Sequence, residues 1–302
     1  MGVKRSRDGP MAEEKPEQSS SPFVAMFEGF RTELDEHHDR RERIIKASRD
    51  ITASSKKIIF TLQRVRAVGQ AVPAFVNKKN AEYWETIEKQ YKSIAADLQG
   101  LNAYRYSHNI TGGNQEFMEA LSFQHYLETQ SLISLEEVQS RISTMSGDVG
   151  TVTFTPEDYI LGVCDMTGEL MRFSVTSMAT NGKLPSGKHI ESNKRLKQDS
   201  NQDETGDQMD IDDQVPAAAA YTQKPRTVLD DLRAIRLQLE MFEAPGGSRF
   251  ATELETKKMP VMRECVDKVE KGLYGLTVRG NERPKGWMPD MGSGRGAEVE
   301  SY

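Results

Sequence analysis

Between Phe23 and about Arg66 no proline interrupts the chain, and apolar and polar residues recur with helical spacing throughout. Ile44, Ile51, Ile58, Leu62 and Val65 fall at sums of three and four, which places them on one stripe of an α-helix. A pattern of roughly 40 residues is long for a globular helix and predicts one that spans a bundle. Whatever else folds with it must offer apolar helical faces of comparable length.

The rest of the chain supplies them. A second helix is expected from about Val76 to Tyr104. A third is expected to open after Thr111-Gly112-Gly113-Asn114, with Asn114 as its N-cap, and to run to about Glu128. Ser134 and Glu137 form a capping box for a short fourth helix. Thr155, Pro156 and Asp158 supply a cap, a proline at the first helical position and an acid in the first turn of a fifth, which should continue to about Met178. Two more are expected at about Thr227–Phe242 and Ala251–Leu276, the last kinked or restarted at Pro260. Val149–Phe154 is the one strand candidate. The fold class is therefore all-α, a helical bundle of about seven helices.

Composition sets the boundaries. Of 302 residues, 28% are charged and 36% hydrophobic, which is polar for a fully globular chain. Residues 1–21 and about 181–224 hold almost no large apolar side chains, and both are expected to be disordered. Residues 281–302, rich in glycine and proline, are expected to form a flexible tail. The helical domain is then 22–280 with an internal insert, leaving about 215 residues for one substantial core. A net charge of −6 excludes a uniformly basic nucleic-acid coat but not local basic patches. No apolar run is long enough for a membrane span, and the N-terminus lacks the apolar region of a secretory signal. Cys164 and Cys265 are too few and too far apart for a disulfide framework or a CxxC metal site, and a reducing compartment fits them.

Two helices carry acids in pairs. Glu116 and Glu119, three apart, share a face with Ala120, Phe123 and Leu127; Ser122 and His125 point away from it. Asp165 and Glu169, four apart, border the apolar stripe of Tyr159, Val163, Met166, Leu170 and Phe173, with Arg172 on the same side. Carboxylates on a partly apolar face are costly unless something pairs with them. Four oxygen donors from two bundle helices suit Mg²⁺ or Mn²⁺, an ion able to activate water and to stabilise charge on a phosphoryl group. Crowding should raise at least one of their pKa values, and Arg172 offsets one charge at most. Spacing alone leaves open that these are ordinary solvated or salt-bridged acids. A di-iron bundle does not fit, because no histidine has a glutamate three residues before it.

Other motifs say less. Gly182–His189 nearly reads as a phosphate-binding loop, but His189 replaces the Ser/Thr and no strand precedes it. Arg43, Lys46, Lys57 and Arg64 lie within about 60° of one another on the first helix. This cationic stripe can hold RNA phosphates, although Asp39 and Asp50 share it and a solvated face is the plain alternative. His37 and His38 adjoin it without an assigned role. Lys4-Arg5-Ser6-Arg7 and Lys194-Arg195-Leu196-Lys197 have the composition of nuclear import signals.

Four stretches resemble the translin family, within it the factor X branch that partners translin. They are Leu34–Phe60 (LDEHHDRRERIIKASRDITASSKKIIF), Gln115–Ser134 (QEFMEALSFQHYLETQSLIS), Asp158–Arg172 (DYILGVCDMTGELMR) and Tyr274–Gly280 (YGLTVRG). The third is especially close to the family pattern, and the long insert suggests a fungal-type member. The resemblance implies a seven-helix translin-like fold. It also implies a hetero-oligomer with translin that encloses RNA, and single-stranded DNA by extension, and acts as a metal-dependent endoribonuclease in cytoplasm and nucleus. Carried over by motif, the catalytic acids are Glu116, Glu119 and Asp165, with Glu169 a further ligand for Mg²⁺ or Mn²⁺. The alternative is a non-catalytic partner that stabilises translin and helps bind nucleic acid.

Overall fold

The computed structural model describes residues 21–187 and 225–279. Both basic runs, the tail from 280 onward, and Lys188 and His189 of the near phosphate loop lie outside the described residues. Two compact units divide the chain, one up to Arg43 and one from Ile44.

Nine helices occur among the described residues: α1 (Pro22–Leu62), α2 (Ala74–Ile94), α3 (Leu101–Arg105), α4 (Ser107–Thr129), α5 (Leu135–Ser146), α6 (Pro156–Asn181), α7 (Val228–Met241), α8 (Arg249–Glu253) and α9 (Met259–Arg279). Seven are long, as expected, and α3 and α8 are single turns. No strand forms among the described residues. Val149–Phe154 is not one: it runs as a connection whose Val152 and Phe154 are buried.

The first unit is the N-terminal part of α1, residues 22–43. It exposes Phe23, Phe27, Phe30 and Leu34, with Phe27 and Phe30 edge to face at 6.1 Å between ring centroids.

In the second unit the apolar stripe of α1 does what its spacing requires. Ile44, Ile51, Ile58 and Leu62 are each 0% exposed, a burial that stabilises by roughly 1.5–3 kcal/mol per side chain at most. The capping box at Ser134–Glu137 forms in full. Thr155 caps α6, its hydroxyl accepting from the Asp158 amide, with Pro156 at the first position.

Two boundaries differ from expectation. The second helix stops at Ile94, and Gly100, at φ +58°, turns the chain into α3, so the span to Tyr104 is broken. α4 begins at Ser107, not at Asn114. Asn114 is wholly buried inside α4, where its amide accepts from the Tyr91 hydroxyl at 3.1 Å and donates to Asp158 at 2.9 Å. The residue that reads as a cap is a buried polar bridge between three helices. Gly113, just before it, is there for a close approach. A Cβ on Gly113 would stand 3.1 Å from the Ser48 backbone of α1.

Near the C-terminus the expected kink takes a definite form. Leu254–Lys258 is a π-helical stretch, and Met259 N–H donates to the Leu254 carbonyl five residues back. Pro260, which has no N–H, comes next in the first turn of α9. Around the expected insert, α6 continues to Asn181 and ends on Gly182 in the left-handed region. Residues 183–187 are also part of the fold: Gly187 N–H donates to the Arg226 carbonyl, and Val228 N–H to that of Pro185.

A candidate carboxylate site

α4 and α6 cross with no room for a side chain between them. A Cβ on Gly162 would lie 2.6 Å from Met118 Cβ. This contact brings the polar edges of the two helices together, and Glu116, Glu119, Asp165 and Glu169 all line one cavity of about 800 Å³. The helical spacing that paired them in sequence thus pairs them in space. Lys56 and Phe60 of α1, Gln63 just beyond its end and Lys268 of α9 close the cavity, joined by Lys258 from the π-helical stretch.

Three of the four carboxylates have cations. Lys56 Nζ is 3.2 Å from Glu116 Oε1. Lys258 Nζ donates to both oxygens of Asp165, at 2.6 and 2.8 Å. Arg172 pairs with Glu169, as its position predicts. Gln63 Nε2 donates to the Glu169 carboxylate at 2.5 Å and to its backbone carbonyl at 3.0 Å. Arg172 thus offsets one charge, as expected, and Lys56 and Lys258, which the spacing does not point to, offset two more. Lys258 is 93 residues from Asp165 along the chain, beyond the reach of any local pattern. Glu119 has no ion pair among the described residues, although three other carboxylates act on it.

All four carboxyls are pushed above their ordinary range, and the leading cause is burial in each. Crowding adds to it most at Glu119, where Asp165, Glu116 and Glu169 all raise the carboxyl and only Lys258 lowers it. Lys56, Lys258 and Arg172 offset the rise at Glu116, Asp165 and Glu169 respectively. Cys164 and Cys265 also line the cavity as free, buried thiols, and burial pushes Cys164 up to about 12.

Oxygen donors carrying several negative charges are the right chemistry for a hard divalent cation. Among the described residues, however, no three His, Cys, Asp or Glu side chains are gathered closely enough to hold an ion. Both oxygens of Asp165 are engaged by Lys258 instead.

The cationic stripe is placed less simply. Arg43, Lys46, Lys57 and Arg64 are all exposed on α1 or just beyond its end. Lys57 lies over the Tyr83 ring and Arg64 over Phe60, each 5.3 Å from the centroid. None of the four lines the cavity; Lys56, one position from Lys57, does.

Residues 39–280 match the translin family. This chain belongs to that family. Translin-associated protein X of Rattus norvegicus is 30% identical over 297 residues, covering 92% of this chain and 87% of the rat protein. The homologue from Schizosaccharomyces pombe is 40% identical over 152 residues, covering 50% of this chain and 61% of that protein. The crystal structure of apo-NeC3PO superposes with a TM-score of 0.52 at 17% identity, covering 84% of this chain and 96% of that one. The matched residues include the described part of the second unit, and the four carboxylates stand within them. No helix among the described residues is long and apolar enough to cross a membrane.

Proposed function

We propose that this translin-family chain is the catalytic subunit of a hetero-oligomer with translin that cleaves RNA using Mg²⁺ or Mn²⁺. The name of its rat relative, translin-associated protein X, supports the choice of partner. The observation that carries the reading is the convergence of four carboxylates from two helices in one open cavity. Glu116, Glu119, Asp165 and Glu169 would hold the ion. When bound, such an ion lowers the pKa of its water and stabilises charge on a phosphoryl group. Lys56, Arg172 and Lys268 line the same cavity and offer cations to RNA phosphates, while the exposed Phe60 offers a ring on which an unpaired base can stack. Single-stranded DNA shares the phosphates and bases that these groups address. The basic runs outside the described residues are consistent with a chain present in both nucleus and cytoplasm.

A second reading is favoured by the ion pairs themselves. Cations already satisfy three of the four acids, which suits a structural role in a non-catalytic translin partner. Asp165→Asn separates the two. It keeps the shape of the side chain and removes a negative ligand. On the catalytic reading it abolishes Mg²⁺-dependent single-turnover cleavage by the purified heteromer while assembly and most RNA affinity persist. Wild-type cleavage by this variant, with a change in stability only, would establish the structural reading.

A further inference from the structure

We propose that Lys258 is an exchangeable counter-ion of the carboxylate cavity, holding Asp165 in the metal-free chain and leaving it when a divalent cation binds. This inference rests on the metal-dependent reading above. The Lys258 ammonium engages both Asp165 oxygens, at 2.6 and 2.8 Å, so one cation takes the two atoms that a metal ion needs.

The backbone is shaped for this contact. Lys258 is the last residue of the π-helical stretch, whose extra residue turns the succeeding helix by about 100° from uninterrupted α-helical register. Such stretches occur frequently at functional sites. Pro260, two residues on, gives no N–H to the α-helical ladder just where the register changes.

The other cations differ in kind. The side chains of Lys56 and Arg172 are 47% and 56% exposed and lie at the rim, whereas that of Lys258 is 21% exposed and reaches inward. An interaction of this depth is less screened than a surface pair. The physical need is clear at Glu119, which has three carboxylates near it and no ion pair of its own among the described residues. Without a cation in their midst these acids repel one another. An ammonium supplies one positive charge where a divalent ion supplies two, and both cannot sit on the same two oxygens. Asp165 is thereby kept ordered and desolvated until the ion arrives.

The full chain, assembled with translin, is titrated with Mn²⁺, and water-proton relaxation reports the bound ion. Lys258→Met keeps the aliphatic stem and removes the ammonium. With that competing positive charge gone, it should bind Mn²⁺ about tenfold more tightly than wild type. It should also melt lower than wild type without metal and regain the difference with Mn²⁺. Lys258→Arg keeps a positive charge on Asp165 and should show no such gain. A second measurement uses only the wild-type protein: acylation of Lys258 by an amine-reactive ester, read by mass spectrometry, should be slow without metal and rise several-fold with Mn²⁺. Equal Mn²⁺ affinity in wild type and Lys258→Met, or acylation that ignores Mn²⁺, overturns the counter-ion role and leaves the metal reading standing. Absence of Mn²⁺ binding by either protein overturns the metal reading and the counter-ion role together.

Discussion

Asp158 is 3% exposed, and burial pushes its carboxyl up to about 6 although Asn114 and Thr155 donate hydrogen bonds that pull it down. An unfolded aspartate titrates near about 3.9. Between about pH 4 and 6 the folded chain keeps a proton that the unfolded chain has lost. Stability from this group is therefore full below that window, falls as pH rises through it, and is flat above. The size is about 3 kcal/mol at most, two pKa units at 1.36 kcal/mol each. Asp158→Asn removes the titration while keeping an acceptor for Asn114. Its stability relative to wild type should improve by up to that amount between pH 4 and 7, read by denaturant unfolding at each pH; a difference independent of pH would show that Asp158 is ionised throughout. Gly162 sets a second residue-scale test. In an open helix, alanine in place of glycine gains about 1 kcal/mol from propensity. Here the new methyl would meet Met118 Cβ at 2.6 Å and the Gln115 carbonyl at 3.1 Å, so two helices must separate. The clash should win, with a net loss of about 1–3 kcal/mol in the unfolding free energy of Gly162→Ala. A gain in stability would mean that α4 and α6 pack more loosely than this.

At the level of elements, α6 and α7 are joined twice over. Residues 188–224 connect them covalently, and hydrogen bonds at Pro185, Gly187, Arg226 and Val228 hold the two flanks side by side. Because the flanks are already paired, the connection has little left to do in positioning the helices. Shortening it to a few Gly/Ser residues should preserve assembly and RNA cleavage, and should change stability by only about 0.6 kcal/mol for each halving of its length. Thermal melts and native mass of the shortened heteromer check this. Collapse of assembly would assign the segment a structural part, whereas loss of nuclear accumulation alone would assign the import signal to Lys194–Lys197.

At the scale of the molecule, the described chain leaves Phe23, Phe27, Phe75, Leu101, Tyr104, Met241 and Tyr274 more than half exposed. Side chains of this size on so many elements suit a subunit that buries them in an assembly. Expressed alone, the chain should be poorly soluble; co-expressed with translin, it should purify as a soluble heteromer of defined native mass. A monodisperse monomer that ignores translin would contradict this. Much of the fold was legible in the residues because its causes are local: the Ser134 and Thr155 caps, the stripe from Ile44 to Val65, and the acid pairs one helical turn apart all act within a few residues of chain. Asn114 misled because a residue that favours a helix cap is equally able to bridge helices, and which it does depends on Tyr91 and Asp158 arriving from elsewhere. The pairing of Lys258 with Asp165 belongs to the same class. It joins residues 93 apart and depends on a π-helical register that no spacing announces. Local chemistry places the acids on their helices and Arg172 beside Glu169; only the packing of α1, α4, α6 and the π-helical stretch brings Lys56 to Glu116 and Lys258 to Asp165.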